Sequence, residues 1–409
     1  MPACHTVAVS DQSTPEQRAL TSAPDQIEVE PSVLKWARES IGLDLERASR
    51  RIGVVKATIE KWEAGEASPS LPQLRRAAAA YKRPLAVLLL SRPAKDFDAL
   101  RDFRVGSEGD AATPSTELTA EYWRALMQRE VILEIGDLGA LPEIELRDPA
   151  AITLDTPPEE AGSQIRRWVG IDARAWAEPR LALSGWIAAT ESQGILVMQT
   201  HRVSITEMRG FSVSEWPHPI IALNGSDFQR GRLFTLVHEL AHLALNAGGL
   251  CDLHEDRKRD QAEDQIERYC NRVAAAALMP RAALMEAASV VRAQPERRWT
   301  PDDLEALARP FGTSAESMLL RLVTLDKATW NLYWELKPQF EQYYAAAKDT
   351  QKQSEGGPSF YVVKARDLGP GYVRIVLDAF RGHAISSLDV ADYLDVRFDQ
   401  IPKLEDAAR

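Results

Sequence analysis

Residues 234–245, FTLVHELAHLAL, constrain this chain more than any other stretch. They are apolar apart from Thr235, His238, Glu239 and His242, and Glu239 is the only charged residue among them. A run of this length and apolarity predicts a buried helix of about three turns. Gly248 and Gly249 follow it and predict its end. Burying a glutamate and two histidines is costly unless they have partners or a function. On a helix His238 and His242 stand at i and i+4, one turn apart on one face, so both imidazoles reach a single metal ion. Glu239 is rotated round the axis and reaches a water beside that ion. A satisfied pair of core histidines is the other reading of this pattern. A catalytic zinc site needs a third protein ligand and keeps a fourth position open. The third ligand is sought in residues 265–280, QIERYCNRVAAAALMP, where Glu267, Asn271 and Ala274 share one face of a second helix. Glu263 and Asp264, one turn earlier, are the reserve ligands, and Cys270 reads as a small buried residue.

The rest of the chain sets the frame for this helix. At 409 residues, two or three domains of roughly 100–200 residues each are expected. With 45% hydrophobic and 27% charged residues, the composition excludes collagen-like, rod-like and wholly disordered chains. No apolar run reaches the roughly 18 residues of a membrane span, and the N-terminal residues show no signal-peptide pattern. Three cysteines, an odd number spread along the chain, fit a reducing compartment, so a cytoplasmic protein is expected. The net charge of −11 argues against coating nucleic acid over the whole surface, but leaves room for one basic module.

Residues 1–30 read as a disordered tail, 31–92 as a helix-turn-helix domain and 93–156 as a helical connector. Residues 157–345 read as a mixed domain, and 346–409 as a C-terminal region. In the connector, Trp123, Leu126, Met127, Val131 and Ile132 predict a helix with one apolar stripe. Helices over 158–169 and 174–193 precede short strands at 194–200, 208–215 and 219–224, and from 228 to 336 the pattern is mainly helical. The fold class expected is therefore mainly α with a small β-sheet: an all-α N-terminal domain, an α+β domain and a small C-terminal helical domain.

Within 33–90, a helix over 45–52, a turn at Gly53 and a second helix from Lys56 to Trp62 are predicted. Leu45, Ser49, Ile52, Val54, Ile59 and Trp62 are the positions that pack two helices across a short turn, with Gly53 supplying a left-handed residue. The phrase TIEKWEAG followed by ASPSLPQLRRAA resembles the Cro/repressor (XRE) type of helix-turn-helix. In that family the second helix enters the major groove of double-stranded DNA. The resemblance implies base contacts from Lys56, Ala57, Thr58 and Lys61, with Arg47, Arg50 and Arg51 near phosphates. Residues 33–82 hold ten Lys/Arg against six Asp/Glu, a net of +4, which leaves −15 for the remainder. Glu60 departs from the expectation, since an acid in that helix accepts from cytosine but repels phosphate. A scaffold that has kept the fold and docks protein is the alternative.

PIIALN, RGRLFTLVHELAHLAL and IERYCNRVAAAALMP follow one another in the order found in the ImmA/IrrE metallopeptidases, and the chain resembles that family over residues 157–325. The resemblance implies a zincin-like domain with Zn²⁺ (Mn²⁺ as the alternative ion) on His238, His242 and Glu267. It also implies that residues 219–224 form a strand bordering the cleft and able to take a substrate by strand addition. Members often carry a second acid where this chain has Tyr269. Zinc in such a site acidifies a water and polarises a peptide carbonyl, and Glu239 acts as the proton carrier. His201, His218, His254 and Tyr269 are candidate oxyanion donors that spacing does not separate.

In the tail, Ala391, Leu394, Val396, Ile401 and Leu404 align with Ser49, Ile52, Val54, Ile59 and Trp62 at a constant offset. They predict a second helix-turn-helix, too acidic for DNA phosphate, that serves packing or a homodimer contact. The family resemblance implies a regulatory peptidase acting on a protein, a helix-turn-helix repressor, with the basic module on DNA. The alternative is a DNA-binding regulator or antitoxin-like protein whose peptidase fold is non-catalytic and serves sensing or interaction.

Overall fold

The computed structural model describes residues 26–41, 43–81, 83, 85–90, 92, 115–143, 147, 149–172, 176, 178–245, 250–251, 261–353 and 357–408. The chain divides into two compact units, Met1–Asp96 and Phe97–Arg409.

In the first unit, α1 (Pro31–Glu39), α2 (Leu45–Ile52), α3 (Lys56–Glu63), α4 (Leu71–Ala80) and α5 (Leu85–Leu88) enclose Leu34, Ile52, Ile59, Trp62, Leu74 and Tyr81. Asp44 caps α2 by accepting the Arg47 N–H at 2.7 Å. Gly53 stops it with φ +72, and the Ser49 hydroxyl donates to the Val54 carbonyl at 2.7 Å to close the turn. Arg38 on α1 grips Glu63 at the end of α3 with two hydrogen bonds, at 2.7 and 2.8 Å. The order begins earlier than the expected boundary at 31. Gln26 bridges Ser70, and the Ile27 N–H donates to the Pro69 carbonyl. Ile27 and Val29 pack on the apolar core, which draws residues 26–30 out of the expected disordered tail.

The second unit opens with α6 (Thr116–Asp137). Its burial is not the single stripe expected: Glu121, Gln128 and Arg129 are buried as well. Gln128 donates to the Leu368 carbonyl at 3.0 Å, Arg129 pairs with Glu215 at 3.5 Å, and Glu121 accepts from Arg124 one turn on. The helices α7 (Pro158–Val169) and α8 (Pro179–Glu191) lead to β1 (Leu196–Thr200), β2 (Gly210–Val213) and β3 (Ile220–Asn224). These strands, extended by the two-residue β4 (Leu250–Cys251), form one sheet in the order β1-β3-β2-β4. β1 runs parallel to β3 with Leu196 opposite Ile220, while β2 is antiparallel to it with Gly210 opposite Leu223. β3 is therefore central and hydrogen-bonded on both sides. This corrects the expectation that residues 219–224 take a substrate by strand addition. All five β3 residues are buried, and an unbroken apolar run is the signature of an interior strand.

α9 (Gln229–Ala244) packs on β2 and β3, α10 (Gln261–Leu278) packs on α9, and α7 packs on α10. Leu233, Leu236, Val237, Leu240, Cys270, Val273, Ala274 and Trp186 belong to one buried cluster. The remaining helices are α11 (Arg281–Leu284), α12 (Ala288–Val291), α13 (Pro301–Ala308), α14 (Ala315–Thr324), α15 (Trp330–Gln353), α16 (Phe360–Leu368), α17 (Pro370–Arg381), α18 (Ser387–Leu394) and α19 (Ile401–Ala408). α16 and α17 pack along β1, so the tail helices belong to the same unit as the sheet. Among the described residues, no helix is long and apolar enough to cross a membrane.

Candidate metal centre

The motif helix α9 is buried along most of its length, with His238 and Glu239 at 0% and His242 at 6% exposure. β2 crosses it at Gly210, where a side chain would collide with Thr235 and stand 3.2 Å from Glu239 Oε1. A glycine there lets the strand pass directly over the motif glutamate. Gly248 and Gly249, expected to end α9, lie outside the described residues.

His238 and His242 bring their Nε2 atoms to 2.9 Å. Glu267 from α10 reaches both, Oε2 at 3.5 Å from His238 Nε2 and Oε1 at 3.3 Å from His242 Nε2. One ligand atom from each of the three lies within 4.8 Å of the others, and all three residues are buried. A tetrahedral ion with bonds of about 2.0–2.1 Å, the lengths Zn²⁺ makes to such ligands, sets neighbouring donors about 3.3 Å apart. The observed 2.9, 3.3 and 3.5 Å fit that figure, so the three residues can hold a small divalent ion.

Electrostatics favour the ligating forms. Burial lowers the His238 pKa against the opposing pull of Glu267, which keeps the imidazole neutral with a free electron pair. Burial pushes the Glu267 carboxyl up, but the His238 and His242 imidazoles beside it outweigh that and hold the group well below the usual carboxylate range. Asn271 Oδ1 lies 2.9 Å from His238 Nδ1, so it accepts the Nδ1 proton and turns Nε2 toward the centre. Cys270 shares a hydrogen bond with His242, and burial raises its thiol pKa. One helix thus supplies Glu267, Cys270 and Asn271, at i, i+3 and i+4. The spacing put Asn271 on the face of Glu267; its role as the acceptor behind a histidine was not read from the sequence.

Among the described residues, the other candidates are engaged elsewhere. Asp264 pairs with Arg268 at 3.4 Å on the surface, and the Glu263 side chain lies outside the described residues. Tyr269 donates its hydroxyl to the Thr156 carbonyl at 2.8 Å, so it is a packing residue. His201 sits between Asp367 (3.1 Å) and Arg366 (2.8 Å). His218 lies 3.3 Å from the Gly194 carbonyl, at the far end of β1 and β3. His254 lies outside the described residues.

In the first unit, Lys56, Ala57 and Lys61 on α3 are exposed and Thr58 is half-buried; Arg47, Arg50 and Arg51 on α2 are exposed. Lys56 lies 4.0 Å from Glu46 and 3.9 Å from Glu60, so the acid noted in this helix partly neutralises its first cation.

Comparison with known proteins gives matches over two stretches of the chain. Residues 190–323 match the family model described as the IrrE N-terminal-like domain (peptidase M78), and residues 34–88 match that of a helix-turn-helix. Over 65 residues the chain is 40% identical to the radiation response metalloprotease IrrE of Deinococcus deserti. That stretch spans 15% of this chain and 23% of the relative, so the likeness is to about a quarter of that protein. Two stretches of the chain are thus similar to known domains, residues 190–323 to the IrrE N-terminal-like domain and residues 34–88 to a helix-turn-helix.

Proposed function

We propose that this protein is a cytoplasmic, zinc-dependent metalloendopeptidase that acts on a protein substrate, a helix-turn-helix repressor, and contacts double-stranded DNA through its basic module. The convergence of His238, His242 and Glu267 beside Glu239 carries the reading. Two imidazoles and one carboxylate are the donor set of a catalytic rather than a structural zinc site. When bound, Zn²⁺ supplies Lewis acidity toward a peptide carbonyl and a water. Glu239 takes the proton of the attacking water and returns it to the leaving amine, so that acid and base are one carboxylate. Asn271 holds His238 in the tautomer that offers Nε2. The β2 backbone at Gly210 lies against Glu239.

The module spanning residues 31–92 supports the DNA half of the reading. Its α2–α3 face exposes Arg47, Arg50, Arg51, Lys56, Ala57 and Lys61, with Thr58 half-buried beside them. The peptidase reading covers residues 157–345.

Incubating the zinc-loaded protein with a purified Cro-type repressor encoded beside it tests the peptidase reading. Cleavage by the parent chain and at least a hundredfold slower cleavage by Glu239→Gln are expected, in the range of lost general acid–base catalysis of roughly 10²–10⁴. Equal rates for the two chains would refute it.

A further inference from the structure

The tail repeats the N-terminal scaffold with its charge inverted. α18 corresponds to α2 residue for residue. Ser386 caps α18 as Asp44 caps α2. Each helix stops on a left-handed residue, Gly53 at φ +72 and Asp395 at φ +49. A turn and a third helix follow, the short Phe398–Gln400 helical turn running into α19 where the N-terminal unit has α3. Leu394, Ile401 and Leu404 are buried as Ile52, Ile59 and Trp62 are. An arginine on the preceding helix ties down the third in both: Arg38 to Glu63 at 2.7 Å, and Arg381 to Glu405 at 2.5 Å.

The outer face differs. Where the first unit has Arg47, Arg50, Lys56 and Ala57, the tail has Asp389, Asp392, Phe398 and Asp399; Lys403 keeps the charge of Lys61, and Arg397 pairs with Asp399 at 3.5 Å. Leu388 and Phe398 stand 60% and 53% exposed on it. Such a face repels phosphate and suits a protein partner that is basic with apolar contacts at its centre. The α2–α3 face of the first unit shows what a helix-turn-helix of this type presents: arginines and lysines around Ala57. That chemistry complements the tail.

We propose that the α18–α19 face is a docking site for the basic, DNA-contacting face of a helix-turn-helix protein, the substrate of the metal site. This rests on the peptidase reading above. α16 and α17 fix the docking face to the sheet: Arg124 on α6 donates to the Gln199 carbonyl at the end of β1 and to the Asp367 carbonyl of α16, both at 2.7 Å. Because DNA and the tail compete for one surface of the substrate, the site selects repressor that is off its operator.

The test uses the full chain carrying Glu239→Gln, so nothing is cut and binding is read apart from cleavage. The probe is a purified Cro-type repressor domain of net positive charge, titrated by fluorescence anisotropy. Saturable, salt-sensitive binding is expected, and it disappears when the probe is already on its operator duplex. Asp392→Lys with Asp399→Lys weakens it roughly tenfold or more. Phe398→Ser weakens it too, while the melting temperature and metal content stay those of the parent. If the double reversal unfolds the chain, Asp392→Asn with Asp399→Asn makes the same comparison. Unchanged affinity in these variants, or equal binding of operator-loaded probe, overturns the proposal. So does self-association that the same variants abolish, which would make a second copy the occupant. Binding without cleavage by the parent chain would refute the peptidase reading alone.

Discussion

Asn271 shows how the candidate metal centre is built beyond the three residues proposed to hold the ion. The histidine pair was legible because two imidazoles inside an apolar run have no inexpensive alternative. Glu267 followed from the need for a third ligand together with family resemblance, and the structure brings it to 3.3 and 3.5 Å from the histidines. The acceptor behind His238 was harder to read, because an asparagine on a helix face has many uses and no spacing of its own. Its position four residues after Glu267 is the one signal that could have identified it. Replacing Asn271 with Leu frees the imidazole to rotate and change tautomer. A roughly 10–100-fold weaker zinc affinity is expected by chelator competition, with the fold intact by circular dichroism. Asn271→Asp keeps an acceptor and should restore most of the affinity. Unchanged affinity in the leucine variant would contradict this role.

Among the elements, the helices were the more legible part. The predicted helix over 45–52 forms at those bounds, and the predicted helix over 158–169 does too, because capping residues and periodicity are local. Strand positions were also local, but strand order was not. That β3 lies between β1 and β2 depends on contacts far apart in the chain, and this is why the cleft-bordering strand was misassigned. The docking of the tail on β1 was likewise hidden, since it depends on contacts far apart in the chain, as do the Asp367 and Leu368 carbonyls that accept from Arg124 and Gln128.

One junction between elements carries a pH prediction. Glu191 at the end of α8 accepts the Gly371 N–H at 2.9 Å and pairs with Arg374 of α17 at 3.1 Å. Burial nonetheless raises its pKa to about 7, against an ordinary glutamate near 4.3. The folded chain therefore binds this proton more tightly than the unfolded chain. Its contribution is fully present below about pH 4.3 and is lost as pH rises through 7. Between about pH 5 and 8 the parent should lose melting temperature relative to Glu191→Gln. A constant difference across that range would show that the carboxyl keeps its ordinary pKa.

For the whole molecule, the charge of −11 averages unlike parts: +4 over residues 33–82 and −15 elsewhere. DNA affinity should then reside in a few cations. Binding of the full chain to a mixed-sequence duplex should weaken with salt, and Arg50→Gln should reduce the log–log slope by about 0.9. An unchanged slope would remove Arg50 from the phosphate contacts. The acidic remainder carries the candidate metal centre and the acidic tail helices α18 and α19.

The central claim is that His238, His242 and Glu267 form one zinc site. Metal analysis of the purified protein by inductively coupled plasma mass spectrometry, beside His238→Ala and Glu267→Ala variants of matched fold, tests it most directly. About one zinc per chain in the parent, and loss of it in both variants, is the predicted result. A parent that takes up no zinc even when supplied with it, or variants that retain the full amount, would contradict the account.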